Sequence, residues 1–250
     1  MLDHLDHAAT ASLDDLKNAF RSFEKRVPPP QRVAFRDGFV ARFVERTPKQ
    51  AILLKFARQV SGLHALSLLM RNGFCQEQGV IQRTLDDFAE DITFLSLGLT
   101  KGPWTAHHEA FLKNFWADEF FGEEQPPMVR RDKIRAYVNR AGGIEDTSSA
   151  NATGKTVFKA YSGYVHGAAV NILDMCVGGD LQFNVTGMSE SPLYQDHRLD
   201  FWNYLYRGVT SASFVALALC DADDQTARYQ EVKEFERRFG SLVFPQASSL

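Results

Sequence analysis

Apolar side chains recur every three or four residues along most of the chain, the spacing that places them on one face of an α-helix. The clearest stretch runs from Leu53 to Met70. Thr47, Pro48 and Gln50 precede it in the order of a helix N-terminus, and Asn72-Gly73 follows it as a left-handed C-cap. The pattern therefore predicts a helix that begins after Thr47 and ends at Asn72.

A second long helix is predicted directly after the first. Its apolar face comprises Ile81, Leu85, Phe88, Ile92 and Leu95. Lys101-Gly102-Pro103 ends it, because proline lacks the N–H that a helix interior requires. Two helices of this length with a tight connection predict an antiparallel αα-hairpin.

The same periodicity predicts helices before and after this hairpin. They are Ser12–Arg26, Gln31–Glu45, Trp104–Phe121, Arg130–Ala141, Thr156–Cys176, Leu193–Leu219 and Asp224–Phe239. Alternation over residues 181–185 allows at most one short β-like segment near 180–187. The predicted fold is all-α: an antiparallel multi-helix bundle over residues 47–250, with an N-terminal helical pair in residues 1–46 as an extension packed on it.

Composition adds that the bundle is rich in phenylalanine. The chain has 250 residues, a hydrophobic fraction of 44%, and 20 Phe against 7 Tyr and 3 Trp. Phe buries a large apolar area without a polar atom, and these residues follow the predicted inner faces, most densely from Phe111 to Phe121. This composition excludes a disordered tail, a collagen-like fibre and a disulfide scaffold.

The net charge and the cysteine content indicate which cellular compartment and which kinds of partner to expect. The net charge is −3, which lacks the basic excess of proteins that bind nucleic acid over much of their surface. Three dispersed cysteines without a Cys-x-x-Cys pair fit a reducing compartment. No signal pattern opens the chain and no stretch reaches the roughly 20 apolar residues of a membrane span. We expect a cytoplasmic protein with no membrane partner; a homodimer, a small molecule and RNA stay open as partners.

The most informative segment surrounds His166. On a continuous helix, Lys159, Ser162 and His166 would share one face. Gly163 and Gly167 would permit another backbone to approach closely. This arrangement predicts a general base or a ligand-orienting imidazole. The alternative interpretation is a buried His–Ser hydrogen bond that only specifies packing.

A second polar group lies on the second hairpin helix. Arg83, Asp87 and Glu90 fall within two helical turns, near the edge of the apolar face. One hypothesis places Arg83 and a carboxylate in a cavity that faces His166. The alternative is a set of intrahelical ion pairs, worth about 0.3–0.5 kcal/mol each.

Metal chemistry is not indicated. His107-His108-Glu109 and the carboxylates at 86, 87, 90 and 91 supply donor atoms, but neither a Glu-x-x-His pair nor a His-Glu-x-x-His motif occurs. We therefore expect no metal and no cofactor.

The order of these motifs resembles a bacterial all-α family of unknown function. The resemblance covers about residues 49–222 and is carried by Asn72-Gly73, by the helix with Arg83-Thr-Leu and Glu90, and by Tyr161-Ser-x-Tyr-Val-His-Gly167. That family is distantly similar to the HEPN superfamily of helical ribonucleases and nucleotide-binding modules. The resemblance implies a helical bundle and, for a ribonuclease, an Arg and a His with four to six residues between them. In this chain Lys159 precedes His166 instead.

Two functional hypotheses follow from these residues, and whether the chain is an enzyme stays open. The first is a binding or interaction module with a polar pocket around Arg83 and His166. Its predicted ligand-binding residues are Arg83, Asp87, Glu90, Tyr161, Ser162, Tyr164 and His166. The alternative is a metal-independent, HEPN-like ribonuclease in which His166 moves the proton while Lys159 and Arg83 steady the phosphate. A structural scaffold without a site would lack the pocket.

Overall fold

The computed structural model describes residues 2–143, 161–177, 182–191 and 193–244. Its helices are α1 (Leu2–Glu24), α2 (Pro48–Arg71), α3 (Cys75–Thr100), α4 (Ala106–Trp116), α5 (Arg131–Ala141), α6 (Ala169–Leu173), α7 (Leu193–Leu219) and α8 (Ala222–Val243). The strands are β1 (Gln31–Phe35), β2 (Gly38–Arg42), β3 (Cys176–Val177) and β4 (Gln182–Phe183), and a 3₁₀ turn spans Glu119–Phe121. The prediction of an all-α bundle is confirmed.

Helix α7 is the centre of the bundle, because it packs against α1, α2, α3 and α8. The predicted antiparallel hairpin of α2 and α3 is confirmed by the side chains that meet along it, since Lys55 pairs with Asp91 while Gly62 lies against Leu85. The largest fully buried side chains of the core are Phe23, Phe56, Phe94, Phe201, Ile52, Leu63, Leu66, Leu85, Ile92, Leu95, Ile134 and Leu205. Phe23 belongs to α1, so this helix contributes to the same core; the division at residue 46 stays a prediction.

The predicted start and end of α2 are both confirmed. The Thr47 hydroxyl accepts a hydrogen bond from the Gln50 N–H at 3.2 Å, and the Gln50 side chain accepts one from the Thr47 N–H at 2.9 Å. This capping box satisfies two backbone donors at the helix N-terminus. At the other end Gly73 has φ +73°, and a Cβ there would lie 2.7 Å from the Met188 nitrogen. Glycine therefore permits both the turn and the approach of the 188–189 backbone.

The predicted helix over Gln31–Glu45 is wrong, and with it the N-terminal helical pair. Residues 31–42 form an antiparallel β-hairpin with Val33 opposite Val40 and Phe35 opposite Gly38. The turn consists of Arg36-Asp37, with Arg36 at φ +51°, and Gly38 begins β2. Aspartate and glycine are frequent in turns, and here they outweigh a helical spacing that rests on few apolar residues. One face of the hairpin packs through Phe35 on the 3₁₀ turn, with the Phe121 ring centroid 5.6 Å away.

The predicted continuous helix over 156–176 is also wrong within its described part. Residues 161–165 are helical, His166-Gly167 turns, and α6 follows after Ala168. Gly167 has φ +60°, the left-handed conformation that ends helices, so it acts as a terminator rather than as a site of helix crossing. Gly163 lies against the Asn171 side chain, which fills the space a Cβ would take.

The remaining helices differ from prediction mainly at their ends. The helix predicted to reach Phe121 ends at Trp116, because Ala117 is extended (φ −60°, ψ 127°). α7 has the predicted bounds, and α8 is longer than predicted, with the Asp221 carboxylate accepting a hydrogen bond from the Asp224 N–H at 3.1 Å. The expected β-like segment is the short pair of β3 and β4.

Candidate functional site

A stripe of polar side chains lies inside the bundle, on the face of α3 that meets α7. Gln78, Gln82 and Asp86 follow one another at intervals of four residues, so they share one helix face. All three are buried, and both glutamines have no exposed surface. Glutamine and aspartate are seldom buried without a specific partner. This stripe, with the α7 residues opposite it, is called the polar seam below.

Helices α3 and α7 run in the same direction, and this alignment determines which α7 residues lie opposite the glutamines of the polar seam. The Gln78 side-chain amide donates to the His197 carbonyl at 2.6 Å, and the Tyr204 hydroxyl donates to the Asp86 carboxylate at 3.3 Å. Gln82 lies midway between these contacts on α3, at the level of Asp200 on α7. The parallel alignment therefore collects two amides, two carboxylates, an imidazole and a phenol along one line.

The helical segment 161–165 covers the open edge of the polar seam. The Tyr161 hydroxyl donates to the Asp200 carboxylate at 2.9 Å, and its ring meets the Tyr204 ring edge-on at a centroid distance of 6.1 Å. The Tyr164 ring lies on Gly79, where a Cβ would come within 2.7 Å of the ring. Gly79 is thus the position on α3 that lets this segment approach. Tyr161, Tyr164 and Asp200 are partly exposed and form the rim of the site.

Burial sets the protonation states of the site. It raises the pKa of the Asp86 carboxyl, against the opposing effect of Arg207, whose guanidinium lies 2.9 Å from Asp86. Burial likewise raises the pKa of the Asp200 carboxyl and, together with these carboxylates, the pKa of the Tyr161 and Tyr204 phenols. The phenols therefore stay protonated and act as hydrogen-bond donors at neutral pH.

The same buried environment shifts the pKa of the His197 imidazole in the opposite direction. Burial lowers the pKa of His197, although the Asp200 charge opposes the shift. The ring is therefore neutral at pH 7, and one of its nitrogens is an acceptor. The Tyr164 ring meets it edge-on at a centroid distance of 6.1 Å.

Several polar atoms of the polar seam have no hydrogen-bond partner among the residues that the structure describes. Both amide atoms of Gln82 are buried and unpaired, as are Gln78 Oε1 and His197 Nδ1. Leaving a buried donor or acceptor unpaired costs about 1–3 kcal/mol. The polar seam therefore has unused capacity to donate and accept hydrogen bonds.

The predicted residues of α3 lie beside the polar seam but are held in ion pairs. Arg83 pairs with Asp87 at 2.8 Å, four residues along the helix, as the structural alternative predicts. Asp87 also lies 3.2 Å from Arg131 of α5, and Glu90 pairs with Arg135 at 2.6 Å. Asp87 and Glu90 thus join α3 to α5. The charge of Arg83 reaches Asp86, which places it at the side of the polar seam.

The predicted residues of the 161–167 segment divide into two groups. Tyr161 and Tyr164 lie at the rim of the polar seam, as described above. His166 is exposed, and its N–H bonds to the Ser162 carbonyl at 3.1 Å. Within the described ranges no side-chain hydrogen bond or ion pair joins His166 to Ser162 or to Arg83. Lys159 lies outside the described residues.

Sequence reasoning missed most of the buried part of the site. Gln78, Gln82, His197, Asp200 and Tyr204 were not singled out by any motif. One local signal was available, because polar residues recur every four positions at 78, 82 and 86, beside the apolar face of the helix. The α7 residues carry no such signal, since only the tertiary alignment of α3 and α7 brings them opposite the glutamines.

Two further findings limit the chemistry of the described part of the chain. It contains no group of three or more His, Cys, Asp or Glu side chains arranged to hold a metal ion. None of its helices has both the length and the apolar character needed to cross a membrane.

Comparison of the chain with protein-family models, with curated proteins and with solved structures finds no significant match. The resemblance to a bacterial all-α family and to the HEPN superfamily accordingly stays a prediction.

Proposed function

We propose that this protein is a binding module whose ligand is a small polar molecule held at the polar seam. The rim residues Tyr161, Tyr164 and Asp200 would receive the ligand, and the buried residues of α3 and α7 would complete its hydrogen bonds. Arg83 would flank the site through its charge on Asp86, in keeping with the pocket predicted around it.

Gln82 is the single observation that carries the proposal. Its amide is fully buried and neither its nitrogen nor its oxygen has a partner. An apolar residue of similar size at this position would stabilise the free protein, because it would remove about 1–3 kcal/mol of unmet polar burial. A ligand that pairs with the amide supplies a reason for retaining glutamine.

The test compares Gln82→Met with Gln78→Met. A panel of nucleosides, nucleotides, amino acids and amines is screened for compounds that raise the melting temperature of the wild-type protein. We expect Gln82→Met to melt higher than wild type without ligand and to lose the ligand-induced shift.

Gln78→Met is the matched control, because Gln78 already donates to the His197 carbonyl. We expect it to melt lower than wild type. If Gln82→Met also melts lower, and every compound still shifts it as much as wild type, Gln82 has a packing role and the proposal is wrong.

Metal-independent RNA cleavage is a second candidate function, supported by the exposure of His166 at the end of the helical segment. An imidazole in that position is accessible to a polymer that could not enter the polar seam. Purified protein is incubated with several RNAs in chelator. Cleavage that His166→Ala abolishes would support this function, and cleavage that persists in the variant would contradict it.

A further inference from the structure

We infer that the ligand of the polar seam is an organic cation, bound by the Asp200 carboxylate and the faces of Tyr161 and Tyr164. This inference rests on the proposed function and adds the chemical class of the ligand. It follows from the charge at the rim, from the aromatic rings around that charge, and from the unpaired buried atoms behind it.

Of the two carboxylates in the polar seam, Asp86 is paired with Arg207, whereas Asp200 has no cationic partner among the described residues. Its hydrogen bond comes from the neutral Tyr161 hydroxyl. In the ranges that the structure describes, no Lys or Arg lies within ion-pair distance of it. The nearest guanidinium whose charge reaches it, that of Arg207, is already paired with Asp86. A partly buried carboxylate without a cationic partner attracts a positively charged group.

Several further carboxylates lie near Asp200, whereas Arg207, whose positive charge also reaches it, is paired with Asp86. Asp174, Asp196 and Asp200 all act on the His197 ring, and Asp174 and Asp200 both act on Tyr164. The local field at the rim is therefore negative, which favours a cationic ligand over an anionic one.

Two aromatic rings lie near this carboxylate: that of Tyr161, whose hydroxyl donates to it, and that of Tyr164, which the charge of Asp200 reaches. The Tyr161 and Tyr164 rings are 6.2 Å apart between centroids and tilted by 34°. A cation within about 6 Å of a tyrosine ring is attracted by the negative face of the ring. Carboxylate and paired rings together are the combination that recognises ammonium groups.

The buried atoms behind the rim give an independent indication of a ligand. His197 is 92% buried, since 8% of its surface is exposed. Among the described residues its Nδ1 has no hydrogen-bond partner, although the charges of three carboxylates reach the ring. Gln82, one helical turn along α3 from Gln78, has two unpaired atoms. A hydroxyl or amide carried by the cation could satisfy them.

The donor set favours an organic cation over a metal ion. Across the described ranges, no three carboxylate, imidazole or thiol groups converge on one point. Tyrosine faces attract an alkylammonium but do not coordinate a divalent metal, which needs several oxygen or nitrogen donors at short distance.

The experiment measures binding of three cations to the full chain by calorimetry: tetramethylammonium, choline and putrescine. The control ligand is 3,3-dimethylbutan-1-ol, which has the shape of choline without its charge. We expect at least one cation to bind, and choline to bind at least tenfold more tightly than the alcohol.

Three variants locate the site. Asp200→Asn keeps the acceptor for Tyr161 but removes the charge, and Tyr161→Leu removes one ring. We expect each to weaken cation binding at least tenfold, while Asp223→Asn, an exposed carboxylate on α8, leaves it within twofold. Circular dichroism verifies that the variants fold as wild type does.

The outcomes separate this inference from the proposed function. If no cation binds, or if Asp200→Asn binds as wild type does, the inference is wrong; a neutral or anionic compound that binds in a Gln82-dependent way then leaves the proposed function standing. If cations bind through Asp200 but Gln82→Met has no effect, the inference holds and the role proposed for Gln82 is wrong.

Discussion

The imidazole of His108 lies flat on the phenyl ring of Phe94, with centroids 3.9 Å apart and planes 3° from parallel. The Trp104 ring covers the other side at 4.5 Å, and the histidine is fully buried. Nδ1 accepts from the Thr105 N–H at 3.0 Å, and Nε2 faces the Phe94 carbonyl at 3.2 Å, which fixes the tautomer with the proton on Nε2. His108 therefore caps α4 and joins it to α3 only while neutral.

This arrangement predicts that acid destabilises the protein through His108. Burial lowers the pKa of His108 below its ordinary value of 6.5. The unfolded chain therefore binds a proton at higher pH than the folded chain does. The stability that His108 contributes is fully present above pH 6.5 and is lost as the pH falls toward the folded-state pKa. Urea denaturation between pH 8 and pH 5 should show this decline.

His108→Gln isolates the effect, because glutamine at this position can still complete the capping box, as Gln50 does in α2. We expect the variant to be less stable than wild type at pH 8, since it loses the ring stack, but to lose less additional stability by pH 5. Subtracting the two curves removes the contribution of His197, whose pKa is lowered in the same direction. Parallel curves would contradict the prediction.

Replacement by alanine should have opposite effects on stability at two glycines, Gly98 in α3 and Gly240 in α8. A Cβ at Gly98 would meet the His108 ring, with Cδ2 at 2.7 Å, and the ring is held between Phe94 and Trp104 and cannot move aside. We expect Gly98→Ala to destabilise the protein by about 1–3 kcal/mol, because overpacking outweighs the gain in helix propensity. At Gly240, in α8, nothing lies within 4 Å of a Cβ. Gly240→Ala should raise stability by about 0.5–1 kcal/mol.

Chemical denaturation of both variants and wild type gives the two differences directly. Equal effects of the two substitutions would mean that the His108 ring can shift, and that its close stack does not constrain α3.

The fold was predictable from sequence where the signals are local. Thr47, Gln50 and Gly73 determine the ends of α2 by contacts within a few residues, so the boundaries were predicted correctly. The hairpin at 31–42 was missed because the few apolar residues there are compatible with either a helix or a strand, and the turn at Arg36-Asp37 was not recognised. The helix predicted over 156–176 was drawn too long because the sequence does not show whether an isolated glycine such as Gly167 continues a helix or ends it with a positive φ.

The site was predictable only at its rim. Tyr161 and Tyr164 were selected from the sequence and lie at the edge of the polar seam. The sequence does not show that Asp200 and His197 lie opposite Gln78 and Gln82. Gln78 and His197 are about 120 positions apart in the chain, and only the packing of α3 against α7 brings them together. His108 drew attention as a metal donor, whereas its role is to cap a helix.

Among the described ion-pair residues, Asp91 is the one whose replacement by alanine we expect to lower the free energy of unfolding most. Its side chain has no exposed surface and pairs with Lys55 at 2.8 Å and with Arg131. Lys55 is also surrounded by the Phe88, Phe111 and Phe115 rings, which leave it few routes to water. Asp91→Ala removes the buried anion that pairs with Lys55 and leaves Arg131 only with the partly exposed Asp87 and Glu90. We therefore expect a loss of about 3–5 kcal/mol.

Asp132→Ala is the matched control for Asp91→Ala, because it also removes a carboxylate from an arginine, Arg130, which directly precedes α5. The Arg130–Asp132 pair is exposed, with 79% and 53% of the side-chain surfaces accessible, so its loss should cost less than about 1 kcal/mol. Urea denaturation at low and high salt measures both. Salt should weaken the effect of Asp132→Ala and leave that of Asp91→Ala almost unchanged, since buried charges are poorly screened. If Asp91→Ala costs no more than its control, water reaches Lys55 and Arg131 in the variant, and the buried pair does not hold α2, α3 and α5 together.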